Sequence, residues 1–258
     1  GVGQPKNVLS LFSREPVCVT APFFLHKIYI MEIKQIQEKF IDKLDDWGLI
    51  LWNTIHSPVF VKPIETLMTE SKEGKKFTPK FKDLFKAYEL CKYNDLKVVI
   101  VGQDPYPQEG VADGIAFSCS KTNKEQPSLR YIFDELQTQY PDATRDCDLS
   151  RWAKQGVLML NTALTCEVDN IGAHVNIWKD FTKSMICHIL NDHHNNIEFI
   201  FMGAKAKPFA KLLNNDINKH FVAHPAAAAY RGGKWDSNNL FKKINENLIN
   251  NGYEPIKW

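Results

Sequence analysis

Apolar residues along this chain follow two rhythms, and the alternation between them outlines its architecture. From Met31 the positions Ile33, Ile36, Phe40, Leu44 and Trp47 recur every three or four residues, which predicts an amphipathic helix. A second helix is expected from Thr78, a capping residue followed by Pro79 at the first helical position and then by Phe81, Leu84, Phe85 and Tyr88. Beyond it, short runs rich in β-branched and aromatic residues at 97–101, 157–160, 197–201 and 220–223 read as strands. Helical patterns begin near Ser128, Ile177, Lys205 and Leu240, the first capped by Ser128 and carrying Leu129, Ile132, Phe133 and Leu136. Strands alternating with helices predict an α/β fold, a central four-stranded, mostly parallel sheet with helices on both faces. Residues 1–30 lack this periodicity and are expected to form a poorly structured leader to a single domain over 31–258.

That architecture directs attention to the carboxyl ends of the strands, where open α/β sheets bind their ligands. Gly102-Gln103-Asp104-Pro105-Tyr106 follows the first run, Asn161 ends the second, Gly203 follows the third and His224-Pro225 follows the fourth. A carboxylate, an amide, a flexible turn and an imidazole are therefore expected at one edge of the sheet.

Composition narrows the partners only slightly. The 32 basic and 30 acidic side chains nearly balance, at a net charge of +2, so overall charge announces no polyanionic ligand. Its distribution says more: residues 201–258 carry eight Lys and one Arg against four acids, and residues 71–100 carry eight Lys against four acids. Two basic regions could thus face nucleic acid. The six cysteines, at 18, 91, 119, 147, 166 and 187, are scattered without metal-ligand spacing, which suggests reduced intracellular thiols. The longest apolar runs are far too short to cross a membrane.

The strand-end residues carry a resemblance. Gly102-Gln103-Asp104-Pro105-Tyr106-Pro107 with Gly114 and Phe117, the block 148–161 ending at Asn161, and the pair His224-Pro225 together resemble family 1 of the uracil-DNA glycosylases, over roughly residues 31–258. The resemblance implies that family's fold and a metal-free, cofactor-free, monofunctional glycosylase that hydrolyses the bond between uracil and deoxyribose in single- or double-stranded DNA, the first step of base-excision repair. Breaking that bond passes through an oxocarbenium-like sugar and leaves negative charge on the base. Asp104 is expected to stabilise the sugar cation and orient water, and His224, as a neutral imidazole, to stabilise the uracil anion at O2. Gln103 is expected to contact the base through its backbone, Tyr106 to exclude the methyl group of thymine, Phe117 to stack, and the Asn161 amide to read N3–H and O4.

For DNA the resemblance implies a clamp of three loops: Gln126-Pro127-Ser128, Gly203-Ala204, and the stretch from His224 to Arg231 with Pro225, Ala226 and Tyr230. Helix N-termini at Ser128 and Lys205 would offer N–H groups to phosphates, and Lys205, Lys207, Arg231 and Lys234 attraction. Three positions depart from the family. Pro107 stands for a histidine, as in some viral relatives. Ala204 stands for a serine. The family's HPSPLS loop reads His224-Pro225-Ala226-Ala227-Ala228-Ala229, without the leucine that wedges into the vacated stack. Tyr230 or Trp235 is expected to replace it. A monomer is expected, with an inhibitor or replication protein as an optional partner. The altered loop also leaves open a DNA-binding or polymerase-associated module of the same fold with weak catalysis.

Overall fold

The computed structural model describes residues 20–192 and 197–258. The chain divides into two units, residues 1–36 and 37–258. The first is described only where helix α1 opens, since α1 runs Thr20–Lys43. The first helix therefore begins well before Met31, so the last third of the expected leader is helical. Residues 1–19 of that leader, Cys18 among them, lie outside the described residues.

In the second unit the helix expected to reach Trp47 is broken. Asp45 takes a φ of 47°, outside helical space, and Trp47 belongs to α2, Asp46–Ile55. Helix α3, Pro58–Lys72, follows, with the Ser57 hydroxyl accepting from the Val59 N–H at 3.3 Å as its N-cap. The helix expected from Thr78 does not form there. Phe77–Thr78 is a short strand, β1, paired antiparallel to β4, Cys166–Glu167, and Thr78 sits opposite Cys166. Only Lys86–Leu90, α4, is α-helical in that stretch.

The four expected strands are all present and all parallel: β2, Val98–Gly102; β3, Val157–Asn161; β5, Glu198–Met202; and β6, Lys219–Val222, in the order β3-β2-β5-β6. Every residue of β2 and β5 is buried. Successive side chains in a strand point to opposite faces, so both faces of the sheet centre are covered. The remaining helices are α5, Pro127–Gln139; α6, Ser150–Ala153; α7, Val175–Asp192; α8, Ala226–Arg231; and α9, Leu240–Asn250, of which α6, with α4, packs on β3, while α2 and α3 pack on α7 and α8 and α9 on α5. Helix α5 buries Leu129, Ile132, Phe133 and Leu136 as its spacing predicts. Phe60 and Phe85 pack with Phe181 of α7 at centroid distances of 6.0 and 5.8 Å. Burying each such ring contributes roughly 2–3 kcal/mol.

Two expected helix starts move. Helix α5 opens at Pro127 with Gln126 at the cap, so Ser128 is a buried residue of its first turn and does not cap it. No α-helix begins at Lys205. A turn leads instead into a 3-10 helix at Lys207–Leu212. No helix among the described residues is long and apolar enough to cross a membrane.

Strand β3 is added on one side of β2 and β5 on the other. The neighbours β2 and β5 therefore lead away in opposite directions and leave a crevice at their carboxyl ends, where an α/β sheet places its ligand.

Candidate active site

A cavity of about 310 Å³ opens at that crevice, within the size range of small-ligand sites. Gln103, Asp104, Tyr106, Phe117, Ser128 and His224 line it, with Pro107, Ala226, Ala227, Tyr230 and Ile171 around them. Loops after β2 and β6 thus meet the start of α5, whereas Asn161 and Gly203, expected at the same edge, do not line this cavity.

Asp104 stands just beyond β2 in a backbone held from both sides. The Gln103 carbonyl accepts from the Thr162 hydroxyl at 2.9 Å and the Ala163 N–H at 3.2 Å. The Gln103 side-chain amide donates to Asp104 Oδ2 at 3.0 Å. Oδ1 is buried with no hydrogen-bond partner among the described residues. Burial raises the Asp104 carboxyl above its ordinary value, against the lowering effects of the Gln103 hydrogen bond and the positive charge of Lys205. One oxygen is therefore fixed, and the other is buried without a partner among the described residues.

His224 follows β6. The Ala226 N–H donates to its Nδ1 at 3.2 Å, which requires Nδ1 to be unprotonated, so the neutral ring carries its proton on Nε2. Burial lowers the imidazole below its ordinary value and favours that neutral form. Gly203, just after β5 with a φ of 93°, is where the ring's backbone is accommodated: a Cβ there would lie 2.8 Å from His224 Cβ. Gly203 serves His224, and its N–H is taken by the Val222 carbonyl at 2.9 Å, so any phosphate contact of this turn falls to the exposed Ala204.

The Phe117 ring lies 5.7 Å from the His224 ring. The Tyr106 hydroxyl donates to the Phe117 carbonyl at 2.9 Å, which fixes the tyrosine ring beside it. Asn161 ends β3 in register with Gly102. It lines a recess of only about 20 Å³, which shares Pro105, Tyr106 and Phe117 with the larger cavity and has room for on the order of one water. Gly102 keeps this corner open, because a Cβ there would fall 2.7 Å from Asn161 Oδ1 and 3.1 Å from the Phe117 ring.

The rim departs from expectation. Trp235 is buried and donates from Nε1 to the Ala223 carbonyl at 2.8 Å, so it braces the loop and cannot act as a wedge. Tyr230 is 87% exposed beside the cavity. The Ala226 N–H is turned inward to His224, and the Ala227 N–H donates to the His224 carbonyl at 2.9 Å, so neither offers a free amide to a phosphate. Pro225 is buried at the start of α8, and the Arg231 side chain lies outside the described residues. Ile171, not foreseen from the sequence, is an exposed apolar residue that also lines the cavity, in a segment tied to Pro107 by the Asp169 N–H at 3.0 Å. Its only sequence signal is an apolar residue between Asn170 and Gly172.

The profile of the uracil DNA glycosylase superfamily matches residues 88–249. A uracil-DNA glycosylase of Dichelobacter nodosus is 36% identical over 220 residues, covering 83% of this chain and 94% of that protein. One of Acinetobacter baumannii is 34% identical over 236 residues, covering 88% and 98%. Among solved structures, mimivirus uracil-DNA glycosylase superposes with a TM-score of 0.77 at 23% identity over 84% of this chain and 88% of that one. Its Y322L variant, solved in complex with UGI, gives 0.76 at 24% over 83% and 87%. The chain belongs to the uracil DNA glycosylase superfamily.

Proposed function

We propose that the cavity excises uracil from DNA by hydrolysis, with Asp104 and His224 on opposite sides of the bond that breaks. The observation that carries this reading is the hydrogen bond from the Ala226 N–H to His224 Nδ1, which leaves a neutral Nε2–H as donor toward the base. Such a donor stabilises negative charge as the bond between C1′ and the base nitrogen breaks and its electron pair passes to uracil. Asp104, with Oδ1 free, faces the opposite charge: it stabilises the cationic sugar and orients the water whose oxygen bonds to C1′. The water proton leaves to Asp104 or solvent, and the uracil anion is protonated after departure.

Phe117 stacks on the extruded base, Tyr106 closes the space at C5, and Asn161 pairs with N3–H and O4, a pattern that cytosine reverses. Gln103 holds Asp104 by its side chain and borders the base. Tyr230 is the residue that fills the vacated stack, because it is the exposed aromatic at the mouth of the cavity. Phosphates lie against the first turn of α5 at Ser128, against Ala204, and along Lys205 and Lys207. The chain acts as a monomer within the cell, and a protein inhibitor of the kind bound by the mimivirus variant is a candidate partner.

Uracil release from a synthetic oligonucleotide tests the assignment. Asp104→Asn and His224→Ala are each expected to lose on the order of 10²- to 10⁴-fold in kcat. Wild-type rates equal to those of both variants would overturn the mechanism and favour a DNA-binding module.

A further inference from the structure

The loop that carries Phe117 is anchored by a buried carboxylate to which the proposed reaction gives no part. Asp113 is fully buried. Its Oδ1 accepts from the Ile115 N–H at 3.2 Å. Its Oδ2 accepts from the Ser118 hydroxyl at 2.7 Å, from the Ser120 N–H at 3.2 Å and from the Ser120 hydroxyl, with Lys86 Nζ at 3.4 Å. These donors flank Phe117 on both sides in sequence. Phe117 itself has a φ of 67°, a left-handed conformation that a side chain of this size rarely adopts and that persists only where its surroundings over-determine it. The Tyr106 hydroxyl holds its carbonyl, and Asp113 holds the residues before and after it.

We propose that Asp113 is a positioning residue for base recognition: it fixes the strained turn that presents the Phe117 ring, and so sets affinity for uracil without touching it. The inference rests on the reading of Phe117 as the stacking surface. A carboxylate suits the position because every group around it is a donor. An asparagine there would turn its own N–H₂ toward donors and leave buried groups unpaired. With that anchor weakened, the turn can relax toward ordinary φ, and the ring leaves its stacking plane while the DNA-binding rim stays in place.

The test compares Asp113→Asn, Ser120→Ala and Phe117→Ala for inhibition by free uracil, for KM and kcat, and for binding to DNA carrying an abasic site, which leaves the base pocket empty. Asp113→Asn is expected to weaken uracil inhibition about tenfold, with affinity for abasic DNA within about twofold of wild type. Ser120→Ala, which removes one donor and spares the rest, is expected to shift uracil inhibition about threefold in the same direction and serves alone if Asp113→Asn does not fold. A folded variant with a lower melting temperature but unchanged uracil inhibition, alongside a Phe117→Ala that weakens it, would reduce Asp113 to a purely structural role. Unchanged inhibition in Phe117→Ala would instead remove the stacking assignment itself.

Discussion

Replacing Gly102 with alanine probes the base pocket from the sheet side. The position is ordinary strand, outside the left-handed region, so an added methyl brings no backbone strain and acts only through what it meets. It meets Asn161 Oδ1 at 2.7 Å and Phe117 Cζ at 3.1 Å. Ordinary contact begins near 3.4 Å, so the amide oxygen must retreat by about 0.7 Å and the ring by about 0.3 Å. A displacement of about 1 Å in a positioning group costs on the order of 10²-fold. Scaled to these shifts, kcat/KM for uracil release is expected to fall about 10- to 100-fold, or about 1.4–2.7 kcal/mol of transition-state stabilisation. Initial rates on a labelled single-stranded oligonucleotide measure this, with inhibition by free uracil expected to weaken in parallel. Thermal unfolding run alongside controls for the fold. A folded Gly102→Ala protein with kcat/KM within twofold of wild type would refute the assignment of Asn161 and Phe117 to the base pocket.

Burial sets the pH response. The proposed mechanism needs His224 neutral and Asp104 ionised, and burial lowers the first below its ordinary 6.5 and raises the second above its ordinary 3.8. Both losses fall on the acid side, so kcat/KM should be level from about pH 7 to 8 and decline below 6.5, whereas a fall between pH 8 and 7 would contradict the assignment. Because the folded-state value of Asp104 is raised, its ionisation opposes folding above pH 3.8, and the cost persists at neutral pH. Asp104→Asn is therefore expected to raise the melting temperature at pH 7 while slowing turnover as above, and a lower melting temperature would count against the burial argument. Tyr230→Ala should leave stability within about 0.5 kcal/mol yet slow excision from duplex DNA more than from single strands, as paired rate measurements would reveal. Trp235→Phe removes the bond to the Ala223 carbonyl and should cost about 1–2 kcal/mol in urea unfolding, with the duplex-to-single-strand rate ratio unchanged.

The sheet and the residues at its carboxyl edge were legible because their signals are local. Runs such as Val98-Val99-Ile100-Val101 have few alternatives to a buried strand, and the residue after each run is placed by topology alone. What failed to read depended on distant partners. Thr78-Pro79 has the form of a helix start, yet Thr78 is claimed by Cys166 across a strand pairing. Helix α2 buries Trp47, Leu51 and Ile55 but leaves Leu49 and Trp52 exposed, which blurs its period, whereas Ser57-Pro58 before α3 is a usable start signal. Trp235 looked like a candidate wedge because nothing in its sequence neighbourhood shows that Ala223 accepts its indole proton.

The run of alanines after His224 shows most directly how side-chain loss and functional loss can separate. Judged by side chains, the loop has lost hydroxyls and an apolar wedge, which suggests damage throughout. The contacts that orient His224, however, come from the backbone N–H groups of Ala226 and Ala227, which any residue except proline supplies. Alanine is sufficient for that task, and its helix propensity suits the short α8 that these residues form. The substitutions therefore leave the imidazole's tautomer and placement intact and confine their effect to the rim, where Tyr230 remains as the large side chain facing solvent. On the proposed mechanism chemistry and DNA opening depend on different atoms of one loop, so Tyr230→Ala and His224→Ala should fail in different assays, the first on duplex substrate and the second on every substrate.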